Sequence, residues 1–143
     1  MIGLADVSKI YQVAGGSEVV ALDSVSLNIP QGAIHGIVGQ SGAGKSTLIR
    51  CLTALEQPTT GSVVVDDLDM TTLSGAQLRA ARRRIGMVFQ QANLFEARTA
   101  AANIAYPLQI AGWNKADIPG RVQELLDMVG LGDRGNSYPA QLS

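Results

Sequence analysis

The sequence predicts an α/β fold, and three patterns of apolar residues support this prediction. Apolar and polar side chains alternate along residues 19–29, which is typical of a strand with one face in water. Residues 33–38 form a short, almost unbroken apolar run, which favours a parallel strand buried on both faces. Residues 118–128 carry apolar side chains at spacings of three and four, which indicates an amphipathic helix.

The other predicted elements follow from similar patterns. Ser74, with Gln77 three positions later, forms a capping box that predicts the start of a basic helix running to Arg84. Strands are predicted at residues 2–11, 62–65 and 85–89, and helices at residues 45–55 and 99–110. The predicted layout is a strand-rich first part, followed from about residue 93 by a helical part.

Composition and charge argue against several classes of protein. The chain has 143 residues, enough for one modest domain, and a formal net charge of -1. No overall basic field therefore marks it as a nucleic-acid binder. Cys51 is its one cysteine, so no disulfide can form within the chain and a reducing compartment is expected. Because neither a signal-peptide pattern nor a run of about 18 apolar residues occurs, we expect a soluble, cytoplasmic protein.

A glycine-rich loop lies between the predicted strand at residues 33–38 and the predicted helix at residues 45–55. We name residues 39–46 the phosphate loop, because they fit the P-loop pattern. Its residues are Gly39, Gln40, Ser41, Gly42, Ala43, Gly44, Lys45 and Ser46. The alternative is a glycine-rich turn with an incidental lysine, but a strand before the loop and a helix after it favour phosphate binding.

Each residue type in the phosphate loop has a physical reason to bind the phosphates of ATP. Glycine adopts positive φ angles without a side-chain penalty, so the backbone can curl around an anion. Successive N–H groups then point at the β-phosphate, and the N-terminus of the following helix adds its positive dipole. Lys45 is predicted to contact the β- and γ-phosphates, the Ser46 hydroxyl to bind Mg²⁺, and Thr47 to reach the α-phosphate.

Three motifs, in the order and at the spacing of one family, carry a resemblance. Residues 39–48 resemble the Walker A loop of the ABC (ATP-binding cassette) transport ATPases. Residues 85–90, followed by Asn93 and Leu94, look like the Q-loop region of that class. Residues 138–143 resemble the approach to its Leu-Ser-Gly-Gly-Gln signature, with the first two signature residues present. The resemblance extends over essentially the whole chain.

Within this class the chain is most similar to the methionine importer ATPases. The similar stretches are residues 41–50, 86–90, 98–99 and 107–112. Three positions differ from that subfamily: Gln40 stands where an aromatic residue is common, His35 replaces an apolar or aromatic residue, and Gln91–Ala92 replaces a His-Phe pair. These differences leave two alternatives open, an ATPase of another ABC system in export or lipoprotein release, and a non-catalytic nucleotide-binding fragment.

The resemblance implies a fold, cofactors and partners. The fold would be an α/β P-loop NTPase (ABC ATPase) cassette, truncated, with an antiparallel β-subdomain and a partial helical subdomain. Residues 1–92 would form the nucleotide-binding core with the β-subdomain, and residues 93–143 the partial helical subdomain. The cofactors would be ATP and Mg²⁺. The partners would be a membrane permease, indirectly a substrate-binding protein, and a second ATPase subunit in a head-to-tail homodimer, at the cytoplasmic side of the membrane and without nucleic acid.

Two further site residues are implied by the resemblance. Tyr11 matches the aromatic residue that stacks on adenine, and a flat ring at a strand end offers a π-face to a base. Gln90 matches the glutamine that contacts Mg²⁺ or the attacking water and senses the membrane partner. Without the family context, a half-buried strand tyrosine and an ordinary surface glutamine would be the simpler interpretations. Lys45 and Gln90 are thus the implied catalytic residues, and Ser46 and Gln90 the implied metal ligands.

Other features receive structural interpretations. His35 has no second histidine or cysteine nearby, which argues against a metal site. Cys51 is expected to be a small core residue, and Trp113 is interpreted as loop packing in preference to a permease contact. A basic cluster is interpreted as a solvated helix face in preference to a site for nucleic acid or anionic lipid. This cluster consists of Arg79, Arg82, Arg83 and Arg84.

The 143-residue chain is expected to show no appreciable ATPase activity. Hydrolysis also needs an acidic residue that organises Mg²⁺, a group that orients water, and further positive groups on the γ-phosphate. By the resemblance these are the Walker B Asp and Glu, a switch His and a second subunit's signature loop, which would all lie beyond Ser143. Asp66–Asp67 precedes a turn and is not expected to replace Walker B. Phosphate release by the purified chain should stay at background, and steady turnover would contradict the expectation.

Overall fold

The computed structural model describes residues 1–90 and 93–142, and the chain divides into two compact units, Met1–Met87 and Val88–Ser143. The first unit contains, in chain order, strand β1 (Ile2–Gln12), strand β2 (Glu18–Ile29), helix α1 (Lys45–Leu52), strand β3 (Thr60–Val65), strand β4 (Leu68–Asp69) and helix α2 (Gly75–Arg82). The second unit contains helix α3 (Ala100–Ile110), helix α4 (Ile118–Met128) and a short 3-10 helix (Pro139–Gln141).

The four strands form one antiparallel sheet in the order β2-β1-β3-β4. The central strand β1 pairs with both neighbours, since Leu4 lies opposite Leu27 of β2 and opposite Val63 of β3. The strands predicted at residues 2–11, 19–29 and 62–65 are therefore confirmed, and so is the antiparallel β-subdomain.

Helix α1 packs on this sheet and completes the core of the first unit. Leu48, Cys51 and Leu52 are spaced by three and four positions, which places them on one face of the helix. They belong to one buried cluster with the sheet residues Leu4, Val7, Leu22 and Val63. Cys51 is 1% exposed, which confirms it as a small core residue. The core therefore joins the helix that follows the phosphate loop to the sheet.

The C-terminal end of α1 is held by a side chain from α2. The helix ends at Leu52, three residues earlier than predicted, because Ala54 has a φ of 52° that cannot continue a right-handed helix. The Arg82 guanidinium donates a hydrogen bond to the Ala54 carbonyl. A positive group at this end complements the helix dipole. Arg82 is half-buried, so its assignment to a solvated face is wrong, whereas Arg79, Arg83 and Arg84 are exposed as expected.

Two segments predicted as strands, residues 33–38 (buried on both faces) and residues 85–89, are not strands. Ile34 is 103% exposed, Val38 97% and Val88 98%, and His35 is exposed as well. An apolar run becomes a buried strand only when neighbouring strands supply backbone partners and cover both faces. The strands that residues 1–90 and 93–142 provide are all used in the antiparallel sheet, so neither run has such neighbours there.

Helix α2 begins close to the predicted position, but the predicted capping box is wrong. Ser74 is the N-cap residue with an extended backbone (φ −141°, ψ 165°), yet its side chain makes no capping hydrogen bond. The helix ends at Arg82, two residues before the predicted end at Arg84. The backbone of Ser74 therefore starts the helix without the hydroxyl contact that the motif predicts.

The second unit is built on α3 and α4. Ala100, Ile118, Val122 and Leu126 form its buried cluster. The Thr99 hydroxyl caps α3 by accepting a hydrogen bond from the Ala102 N–H at 3.2 Å. Both predicted helices are confirmed, and α3 continues past Pro107 to Ile110. Among the residues that the structure describes, no helix is both long and apolar enough to cross a membrane.

Replacing Leu126 by alanine should destabilise the second unit. Leu126 is 2% exposed in the core between α3 and α4, and truncating such a side chain costs about 2–5 kcal/mol. Met128, on the same helix, is 71% exposed, so Met128→Ala should change the free energy of unfolding by less than about 0.5 kcal/mol. Urea unfolding followed by circular dichroism measures both. Equal effects of the two substitutions would contradict the described core.

Candidate functional site

The phosphate loop curls at two glycines with left-handed backbone. Gly42 has a φ of 83°, and Gly44, the N-cap residue of α1, has a φ of 81° and a ψ of 0°. Between them, the Ala43 N–H donates to the Gln40 carbonyl at 3.2 Å and closes a tight turn. A side chain at either glycine would be strained, because L-residues avoid this region. Left-handed backbone is therefore found at Gly42 and Gly44, whereas Gly39, the first glycine of the P-loop pattern, was expected to share it and has no positive φ.

Gly44 also lies directly against the sheet. A Cβ atom built on it would be 2.2 Å from the Ala21 carbonyl oxygen and 3.1 Å from Leu22 Cδ2. Ala21 itself lies at an irregularity in β2, because the pairing shifts between Lys9↔Leu22 and Ile10↔Val20. Such a bulge bends the strand locally. The start of α1 is thus seated on the irregular part of β2, with no room for a side chain.

The Lys45 ammonium is folded back over the phosphate loop. Its Nζ atom donates to the Gly39 carbonyl at 2.7 Å and to the Gln40 carbonyl at 2.6 Å. These contacts place a mobile cation at the mouth of the curled backbone, next to the N-terminus of α1. An ammonium on a flexible stem can follow the charge of a bound phosphate.

The N-terminus of α1 is available to an anion. The first N–H groups of a helix have no partner within it, and Gly44 offers no side-chain cap. The first turn contains no acidic residue, so the positive end of the helix dipole is not neutralised. In this turn Ser46 is exposed and Thr47 is half-buried. Backbone N–H groups, dipole and hydroxyl groups therefore lie within one turn of helix, which suits a phosphate group.

The phosphate loop fits a magnesium ion that is held mainly by a bound nucleotide. Ser46 presents an exposed hydroxyl directly beside Lys45. Across residues 1–90 and 93–142 no group of three acidic, histidine or cysteine side chains could hold a metal ion. Mg²⁺ commonly uses one or two protein ligands together with substrate phosphates and water. The predicted ligand Ser46 is compatible with that type of site.

Tyr11 lies at the same end of the sheet as the phosphate loop. It is half-buried near the end of β1 and pairs with Val19 of β2. Val19 is two residues from Ala21, the residue whose carbonyl oxygen faces Gly44. Two residues of strand correspond to about 7 Å. The ring predicted to stack on adenine therefore lies on β1, next to the segment of β2 that contacts the start of α1.

The remaining residues that the sequence singled out are Gln90, Gln91, Ala92 and Trp113. Gln90 is exposed in a bend of the second unit, and its predicted contact with Mg²⁺ or water stays a prediction. Gln91 and Ala92, which differ from the methionine importer pattern, lie outside the described residues. Trp113 is 45% exposed, and neither of its two interpretations is tested.

Sequence analysis missed the organising role of Asn103. Its Oδ1 accepts from the Phe95 N–H at 2.8 Å, and its Nδ2 donates to the carbonyls of Arg98 at 3.1 Å and Thr99 at 3.0 Å. The Arg98 guanidinium lies over the rings of Phe95 and Tyr106, at 4.7 and 4.9 Å from their centroids. Asn103 therefore ties the loop before α3 to the helix. No short-range pattern marks an asparagine inside a helix for this role.

Sequence analysis also missed Lys9, whose Nζ lies 5.0 Å from the centroid of the Tyr11 ring. It forms an ion pair with Glu56 Oε1 at 2.9 Å. The pair lies near Cys51, where burial raises the pKa of the thiol, the positive charge of Lys9 lowers it and the negative charge of Glu56 raises it. The sequence does indicate that Lys9 lies beside Tyr11, because residues two apart on a strand point to the same face.

An antiparallel sheet, a P-loop seated on it at the start of a helix, and a helical unit define the class of ATP-binding cassettes. The model of one family, described as "ABC transporter", matches residues 22–143. The chain belongs to the ABC transporter family, which confirms the resemblance and the cassette fold.

Relatives in this family are similar over the whole chain. Two are named "Methionine import ATP-binding protein MetN": that of Symbiobacterium thermophilum is 56% identical and that of Myxococcus xanthus 57% identical, both over 143 residues. The alignments cover 100% of this chain and 43% of each relative, so the chain spans less than half of their length.

Solved structures of the cassette MJ0796 are similar in fold. One, described as a dimeric post-hydrolysis state bound to ADP and Pi, has a TM-score of 0.89 and 36% sequence identity. Another, described as a dimeric bacterial ABC transporter cassette, has a TM-score of 0.90 and 37% identity. Both matches cover 100% of this chain and 63% of the other.

Replacing Gly44 by alanine should destabilise the first unit more than the same change at Gly39. The new Cβ would combine a positive φ with a clash against the Ala21 carbonyl, and such strain costs about 1–3 kcal/mol. At Gly39 the nearest atom to a new Cβ is Ala43 Cβ at 3.4 Å, an ordinary contact, so we expect a change below about 0.5 kcal/mol. Urea unfolding compares the two. Equal stability of both variants would contradict the close approach at Gly44.

Proposed function

We propose that the chain is the ATP-binding part of an ABC importer ATPase that couples ATP hydrolysis to uptake of methionine or a similar amino acid. The observation that carries the proposal is the phosphate loop, with its curled backbone, the Lys45 ammonium and the open N-terminus of α1 within one turn of helix. The names of the relatives support methionine import over export or lipoprotein release. The bound ADP and Pi of the MJ0796 structure support a nucleotide as ligand.

In this proposal the phosphate loop binds the nucleotide through its backbone. The N–H groups of residues 42–47 surround the β-phosphate, that of Ala43 after leaving the Gln40 carbonyl, and the dipole of α1 favours the negative charge. Lys45 leaves its two carbonyl partners and contacts the β- and γ-phosphates. Thr47 reaches the α-phosphate. The exchange is favourable because a phosphate carries a full negative charge, whereas a carbonyl carries only a partial one.

The proposed cofactors are ATP and Mg²⁺. When bound, Mg²⁺ neutralises charge that develops on the β- and γ-phosphate oxygens. The Ser46 hydroxyl would hold it from the protein side, and Gln90 would contact it or the attacking water. Tyr11 would stack on adenine, so that the base and the phosphates are held by neighbouring parts of β1, β2 and α1.

The full protein is proposed to act as a head-to-tail homodimer. The MJ0796 cassettes are described as dimeric, which supports this assembly. A membrane permease, supplied by a substrate-binding protein, would be the transport partner, and the dimer would lie peripherally at the cytoplasmic side of the membrane. Residues 1–92 would form the nucleotide-binding core and residues 93–143 the partial helical subdomain, in which residues 93–128 would face the permease.

Lys45→Ala should lower the affinity for ATP by about 10- to 150-fold, because hydrogen bonds to charged groups contribute about 1.5–3 kcal/mol each. Lys115, an exposed lysine of the second unit, provides the control. Lys115→Ala removes the same charge from a position outside the phosphate loop and should leave the affinity within about twofold. Isothermal titration calorimetry of the full-length protein with ATP and Mg²⁺ measures both. Equal affinities of the Lys45→Ala and Lys115→Ala variants would contradict the proposed site.

A further inference from the structure

Lys9 lies beside the ring that is proposed to stack on adenine. It precedes Tyr11 by two residues in β1, so both side chains lie on one side of the strand. Its Nζ is 5.0 Å from the ring centroid, within the range of a cation–π interaction. The Lys9 side chain is 14% exposed, which is unusual for a lysine. One face of the Tyr11 ring is therefore occupied by a largely buried cation.

The Lys9 ammonium is held from the segment that follows α1. It forms the ion pair with Glu56 Oε1 at 2.9 Å, and it donates to the Gln57 carbonyl at 2.8 Å. Glu56 is itself fixed, because its N–H donates to the Arg50 carbonyl of α1 at 3.1 Å. The contacts form a continuous path from the last turn of α1, through Glu56 and Lys9, to the Tyr11 ring.

We propose that Lys9 is a positioning residue for the base, which fixes the Tyr11 ring from one face and so leaves its other face ready for adenine. This inference rests on the proposed function. A ring fixed in one orientation loses less conformational freedom when the base binds, and this raises affinity without a new contact. Because Lys9 is anchored after α1 and Lys45 begins α1, the same helix connects the groups that hold the base and the phosphates.

A purely structural role for the Lys9–Glu56 ion pair makes different predictions. Loss of a structural ion pair would weaken the fold and would affect every ligand of the phosphate loop alike. Loss of a positioning residue would affect only ligands that carry a base. Inorganic triphosphate carries the phosphates without the base, and it therefore separates the two roles.

The experiment uses the full-length protein and two substitutions of Lys9. Lys9→Met keeps the length of the side chain and removes its charge, and it should weaken ATP binding by about 2- to 30-fold, the range between an exposed and a desolvated cation–π contact. Its affinity for inorganic triphosphate should be unchanged, which also shows that the phosphate loop is folded. Lys9→Arg keeps a cation that can stack on the Tyr11 ring, and it should retain ATP affinity within about twofold. Glu56→Gln removes the anchor and should behave as a weaker form of Lys9→Met.

A double substitution tests whether Lys9 acts through Tyr11. Tyr11→Ala should itself weaken ATP binding by about 5- to 150-fold, as expected for loss of a base–aromatic stack. Adding Lys9→Met in that background should cause no further loss. The inference is overturned if Lys9→Met weakens triphosphate and ATP equally, leaves ATP binding unchanged, or causes its full loss in the Tyr11→Ala background. If Lys45→Ala leaves ATP binding unchanged as well, the proposed function is contradicted together with the role of Lys9.

Discussion

The close approach of Gly44 to the Ala21 carbonyl is the constraint on which the first unit depends. A Cβ at residue 44 would lie 2.2 Å from that oxygen, so helix α1 can begin at this point only because glycine occupies the position. From this start the helix carries Leu48, Cys51 and Leu52 into the core of the sheet. Glycine at position 44 therefore serves two purposes, because it lets α1 pack against the sheet and lets the phosphate loop curl.

The two ends of α1 differ in the side chains that bind them. At the C-terminal end the Arg82 guanidinium binds the Ala54 carbonyl, and the Thr53 hydroxyl donates to the Ile49 carbonyl at 3.0 Å. At the N-terminal end no side chain caps the helix and no acidic residue neutralises the dipole. Unpaired N–H groups are costly where they are buried and tolerable where water or a ligand reaches them. The exposed residues of the phosphate loop satisfy that condition.

The success of sequence analysis depended on whether a signal was local. Alternation along β2 needs no information from elsewhere in the chain, and it predicted the strand correctly. The apolar run at residues 33–38 predicted a strand buried between neighbouring strands. This prediction is wrong, because the described residues supply no such neighbours. Positive φ was predicted for the glycines of the phosphate loop and is found at Gly42 and Gly44 but not at Gly39. The pattern could not predict the contact of Gly44 with Ala21, 23 positions away. Ser74 fitted the capping motif, yet its hydroxyl makes no such bond.

The same distinction separates nucleotide binding from hydrolysis. The groups proposed to hold the phosphates and the base come from β1, the phosphate loop and the start of α1, within the first 60 residues, and contacts among these segments and β2 hold them. Gln90 follows residues 85–89, which form no strand in the described part of the chain. A catalytic group must be held within a fraction of an ångström, whereas a flexible cation such as Lys45 can adjust to its ligand. The residues proposed to bind the nucleotide are therefore held together by local contacts of the first unit, whereas the catalytic role of Gln90 stays a prediction.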